Sequence, residues 1–150
     1  VCWYDAVAFC RWLSDKTGEN IMLPTEQQWQ RAALGDKKQK YPWGDKIDKT
    51  YCNYNNHVGQ ATPVTQYPKA ESPFQVMDMA GNVWEWCSDW YAPYDSEATV
   101  NPVGPPEGTR KASRGGSWRH RVKVSRIAAR SSLDPGRRYN DYGFRVYASV

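Results

Sequence analysis

Apolar positions in the first part of the chain recur at helical spacing. Ala6, Phe9, Cys10 and Leu13 fall at i, i+3, i+4 and i+7, which predicts a helix over residues 4–17 with one inward face. Gly18 is the expected stop, and Lys16 suits the negative end of the helix. Thr25 followed by Gln28 is a capping box, so a second helix should open at Thr25 with Glu26 in its first turn. Trp29, Ala32 and Ala33 give its inner face, and Gly35-Asp36 ends it.

The remainder reads as turns, loops and short strands. Lys37-Lys38-Gln39-Lys40 is a solvated loop and Tyr41-Pro42-Trp43-Gly44-Asp45 a turn with two aromatics to bury. Pro63-Val64 to Tyr67-Pro68 reads as a short edge strand. Residues 91–113, with Pro93, Pro102, Pro105 and Pro106, read as a long surface loop. Strands are expected from Ala112 to Trp118, with a bulge or close backbone approach at Gly115-Gly116, at Ile127–Arg130, and from Tyr142 to Tyr147. Asp134-Pro135-Gly136 is a turn. Two early helices followed by many short strands predict one α+β domain over residues 1–150, rich in loops.

Between these parts, Asp78-Met79-Ala80-Gly81-Asn82-Val83-Trp84-Glu85-Trp86 concentrates unusual chemistry. Gly81-Asn82 is a turn, and Trp84 and Trp86 alternate as on one face of a strand. Asp78 and Glu85 flank the turn, where they either converge with backbone carbonyls on a hard cation or stay as two surface acids. Cys52-Asn53-Tyr54-Asn55-Asn56 has amide oxygens suited to a turn or to a cation, and as loop residues satisfying their own backbone they need no metal.

Charge divides the chain. Residues 1–107 carry 9 Lys/Arg against 14 Asp/Glu, a net of −5, whereas residues 108–150 carry 11 against 2, a net of +9. The basic arginines interleave with Ala, Val and Tyr, which favours internal or ligand-facing pairing over nucleic acid. The four cysteines, Cys2, Cys10, Cys52 and Cys87, show no C-x-x-C spacing, and buried free thiols are the default. No apolar run approaches a membrane span. The start, Val-Cys-Trp-Tyr, has no signal-peptide character, so a cytoplasmic domain is the default expectation.

Several segments together resemble one family: Trp3-Tyr4-Asp5-Ala6, Leu23-Pro24-Thr25-Glu26 with Trp29, Tyr41-Pro42-Trp43-Gly44, Gly81-Asn82-Val83-Trp84-Glu85-Trp86, Arg114-Gly115-Gly116-Ser117-Trp118, Ala129-Arg130 and Gly143-Phe144-Arg145-Val146. In that order they are similar to the formylglycine-generating enzyme, or sulfatase-modifying factor, family. The resemblance implies a C-type-lectin-like fold of two helices and short antiparallel strands. It implies structural calcium on Asp78, Gly81, Val83 and Glu85, with a second site beginning near Asn53. Family domains carry more sequence before the first helix, so the resemblance leaves two alternatives: a minimal version of the fold, or one completed by an additional N-terminal segment or chain.

The family's enzymes oxidise a substrate cysteine with copper held by two cysteines shortly after the Gly-Gly-Ser segment. A thiolate pair is what Cu(I) requires. Here Ser117 to Arg126 contains no cysteine and is shorter, so copper is not expected. The leading expectation is therefore a ligand- or protein-recognition module without catalytic residues. It is likened to the variable proteins of diversity-generating retroelements, which vary between a Gly-Gly-Ser-Trp and a Gly-Phe-Arg segment. The contact candidates are Trp118, Arg119, His120, Arg121, Arg137, Arg138, Tyr139, Asn140 and Tyr142. The alternative is an oxygen-dependent oxidoreductase of the formylglycine-generating type, acting on a protein cysteine with another chain or domain. Nucleic-acid binding through the basic third ranks last.

Overall fold

A computed structural model describes residues 1–94, 97 and 100–149. The first helix, α1, spans Trp3–Thr17. The Cys2 N–H donates to the Asp5 carboxylate at 2.8 Å, which occupies one otherwise unpaired donor at the helix start. Gly18 ends it in the left-handed conformation and donates to the Ser14 carbonyl at 2.8 Å. α2 spans Glu26–Leu34, and its Thr25–Gln28 capping box is formed in both directions, at 3.1 and 2.8 Å.

Two sheets follow. The strand β1 (Asn20–Met22) pairs antiparallel with β6 (Tyr147–Ser149), joining the early chain to its end. The second sheet runs β4 (Arg130–Leu133), β3 (Lys111–Arg114), β2 (Trp84–Trp90), β5 (Tyr142–Gly143). Its β2–β3 and β3–β4 pairs are antiparallel, whereas β2–β5 is parallel. The fold is thus α+β, with two helices, short strands and long connections.

Both faces of β2 are covered, so its burial is continuous from Trp84 to Cys87. Trp86 enters one core with Ala6, Cys10, Ile21 and Leu23. Cys87 joins the other, around Trp29, Ala33, Tyr41, Met79 and Ile127.

Several expected elements differ. Residues 63–68 are turn and loop, because no neighbouring strand offers them a ladder. The segment expected as a strand to Trp118 ends at Arg114, where Gly115 and Gly116 both turn to positive φ. Ile127–Arg130 becomes a strand only from Arg130 onward. The expected closing strand divides at Phe144–Val146, its two ends serving different sheets. Phe9, expected inward, is 41% exposed and meets Phe144 edge-on. Positions 95, 96, 98 and 99 of the expected long loop lie outside the described residues.

Candidate functional site

Two places gather the residues singled out by sequence. The first is a small cradle under β2. Asp78 and Glu85, each 5% exposed, line one cavity of about 240 Å³ with Asn82, Val83, Phe144 and Arg145. The turn forms because Gly81 and Asn82 both take positive φ. A Cβ on Gly81 would sit 2.3 Å from the Asn53 carbonyl oxygen, so only glycine fits there. Asn82 is the hub: its amide donates to Asp78 Oδ2 at 2.8 Å, and its oxygen accepts from the Thr62 N–H at 2.9 Å.

The two acids are in different states. Glu85 accepts from the Arg145 guanidinium through both oxygens, at 2.5 Å each, and from the Trp29 indole at 2.6 Å. Asp78 keeps one oxygen, Oδ1, buried without a hydrogen-bond partner, as does Asn53 through its own Oδ1. Burial raises the Asp78 carboxyl to about 6, with the Glu85 charge adding to the rise and Arg145 opposing it. A buried carboxylate with an unpaired oxygen is what a hard cation relieves. Among the described residues no cluster of three His, Cys, Asp or Glu gathers anywhere, so carbonyl oxygens would complete any shell around these two acids.

The second place is a rim built on Asp141. That carboxylate, 5% exposed, accepts from Ser117 Oγ at 2.8 Å, and the same oxygen faces His120 Nε2 at 4.0 Å. It thereby ties the loop after β3 to the loop before β5. The Trp84 backbone N–H donates to the Asp141 carbonyl at 2.8 Å, which fixes the pair to β2. Trp84 lies under both loops, with ring centroids 5.6 Å from His120 and 6.4 Å from Tyr142. Arg119 lies over Trp118 at 4.8 Å and donates to Asn140. Tyr139 packs on Tyr142 at 6.2 Å. The serine hydroxyl donates to the carboxylate and not to the imidazole.

Trp118, Arg119, His120, Tyr139, Asn140 and Tyr142 are therefore brought together through these contacts. Tyr142 is a half-buried wall whose hydroxyl meets Ser113 Oγ at 3.3 Å. Arg121 follows on the exposed side, and Arg137 lies exposed in the turn before Tyr139. Arg138 points elsewhere, donating to Asp5 on α1 at 2.8 and 3.0 Å. Arg130 and Arg145 are internal. Arg130 and the fully buried Arg114 share Glu26, at 2.5 and 2.9 Å.

Sequence reading passed over Asp141 and gave Ser117 and Asn82 no part in a site beyond their motifs. Asp141 carried a usable signal: it is one of only two acids in the basic third, and Asp134 is spent in its own turn, accepting from the Gly136 N–H. The four cysteines are free and buried. Burial pushes the Cys52 thiol up to about 12, and raises Cys10 and Cys87 as well.

The sulfatase-modifying factor enzyme 1-like domain matches the chain over residues 1–150. The chain belongs to this family. A serine/threonine-protein kinase pkn1 of Chlamydia caviae is 38% identical over 156 residues, covering 100% of this chain and 24% of that protein. A formylglycine-generating enzyme of Streptomyces coelicolor is 36% identical over 167 residues, covering 97% of this chain and 50% of that enzyme. The chain thus spans between a quarter and a half of the length of these relatives. Variable protein 1 of Treponema denticola superposes with a TM-score of 0.86 at 27% identity, over 97% of this chain and 68% of that one. PvdO of Pseudomonas aeruginosa gives 0.88 at 26%, over 100% and 60%. The family thus includes relatives named as enzymes as well as a variable protein. Among the described residues no helix is long and apolar enough to cross a membrane.

Proposed function

We propose that this domain is a calcium-braced recognition module that holds a protein or peptide partner on the rim formed by Trp118–Arg121 and Tyr139–Tyr142. The observation that carries the reading is the Asp141 tie. It anchors two loops to each other and to β2, so exposed side chains project from a fixed base. Binding to such a base loses little conformational entropy. The likeness to a protein named as a variable protein supports the same reading.

Calcium fits the cradle. Asp78 and Glu85 would hold it with the carbonyl oxygens of Gly81 and Val83, and the ion would supply positive charge beside the unpaired Asp78 oxygen. The sensible test is calorimetric titration of the chelated protein with calcium. Saturable binding at one site, abolished in Asp78→Ala, is expected; equal binding by the variant contradicts the assignment. The partner is sought by peptide-display selection on wild-type protein and on the Arg119→Ala/Arg121→Ala double variant. Enrichment on the first and not the second is expected, and identical enrichment on both sinks the rim.

A second reading is favoured by the curated relatives. Formylglycine-generating enzymes of Bos taurus, Streptomyces coelicolor and Mus musculus are 32%, 36% and 32% identical to nearly all of this chain. On that reading the domain would be an oxidoreductase acting on a protein cysteine, with copper ligands supplied by another chain or domain. Its own thiols are buried, and burial raises those of Cys10, Cys52 and Cys87, which opposes their service as soft ligands. Copper at one equivalent, with oxygen-dependent turnover of a cysteine peptide, would establish it in place of the first.

A further inference from the structure

We infer that the partner segment held by the rim is acidic, an inference that rests on the recognition reading and names its ligand class. The basic third of the chain divides into spent and unspent cations. Arg114 and Arg130 are neutralised by Glu26, Arg145 by Glu85 and Arg138 by Asp5. Lys111 is sandwiched between Trp3 and Trp90, at 4.1 and 3.8 Å, and donates to the Ser88 carbonyl. Arg110 is bound to Ser132.

Of the five that are left, Lys123 and Arg126 are exposed on the segment after the rim, Arg137 precedes Tyr139, and Arg119 and Arg121 belong to the rim itself. Among the described residues, Arg119, Arg121 and Arg137 form no ion pair, and all three are exposed. The only acid among them, Asp141, is buried and already engaged by Ser117 and faced by His120. Arg119 is also pre-oriented, lying over Trp118 and held by Asn140, so its fork is fixed before a carboxylate arrives. Aromatic walls beside such arginines, from Tyr139 and Tyr142, suit the stem of a glutamate or an adjoining apolar residue. A peptide is favoured over nucleic acid because four of the segment's eleven cations are ion-paired within the chain and two more are held by neutral groups. The five that remain are too few for a long run of phosphates.

The test is fluorescence anisotropy with fluorescein-labelled hexaglutamate, with hexalysine and a single-stranded oligothymidylate run alongside. Saturable hexaglutamate binding is expected, weakened about tenfold or more in Arg119→Ala/Arg121→Ala. It should be unchanged in Arg110→Ala, whose side chain binds Ser132 and is not among the rim residues. Thermal unfolding of both variants should match wild type, which separates lost contacts from lost fold. Tighter binding of the oligothymidylate at physiological salt would overturn the proposal in favour of nucleic acid, and no hexaglutamate binding would overturn it outright. Neutral peptides selected by display and mapped to the same rim would refute acidity while leaving the recognition reading intact.

Discussion

Single side chains decide how this fold responds to pH and metal. Asp78 has a folded-state value near 6, above its ordinary 3.8, because burial disfavours the carboxylate. Below the ordinary value both folded and unfolded chains are protonated and Asp78 costs nothing. As pH rises from about 4 to about 6 the unfolded chain releases its proton first, so stability falls across that window. The accumulated cost at neutral pH is about 3 kcal/mol. Asp78→Asn should therefore stabilise the chelated protein at pH 7 and leave it unchanged near pH 4, read by urea denaturation at the two pH values. With calcium added the order should reverse, because the ion offsets the cost only in wild type. On the proposed assignment of calcium to Asp78, protonation of that carboxyl should weaken calcium binding below about pH 6. Glu26 is the opposite case. Two arginines, one fully buried, depend on it, so Glu26→Gln should destabilise by about 3–5 kcal/mol, measurable by the same denaturation.

The helices and turns show what was legible in sequence and what was not. Local rules placed α1 and α2 well, because caps and stops are contacts within a few residues. Thr25→Ala should cost about 1 kcal/mol by losing a cap that both sequence and structure show. The strands were less legible. β2 lies under cover on both faces, so its Trp84–Trp86 alternation does not separate inside from outside. The closing segment has uniform strand chemistry, yet it splits because β5 and β6 serve different sheets, which is a tertiary demand. Gly81 stood out as a turn residue, but the reason for it, an approach to the Asn53 backbone, is long-range. Gly81→Ala should cost about 3 kcal/mol, through positive φ and the clash together, visible as a lowered denaturation midpoint.

At the scale of the whole molecule, sequence named both ends of the rim without the residue that joins them. Trp118–His120 and Tyr139–Tyr142 are each visible as polar-aromatic runs, while the Ser117–Asp141 bond spans 24 positions and has no local signature. The cradle was half legible: Asp78 and Glu85 do converge, but Arg145, 60 positions from Glu85, already binds it. The basic third was read as pairing internally or facing a ligand, and Arg114, Arg130, Arg138 and Arg145 do pair internally. Partners are proposed to meet the domain on the Asp141-tied rim. Hydrogen–deuterium exchange with a display-selected peptide tests it most directly. Protection confined to residues 117–121 and 139–142 is the predicted result. Protection instead around the cavity bounded by Glu26, Asp89 and Pro102, with the rim unchanged, would contradict it.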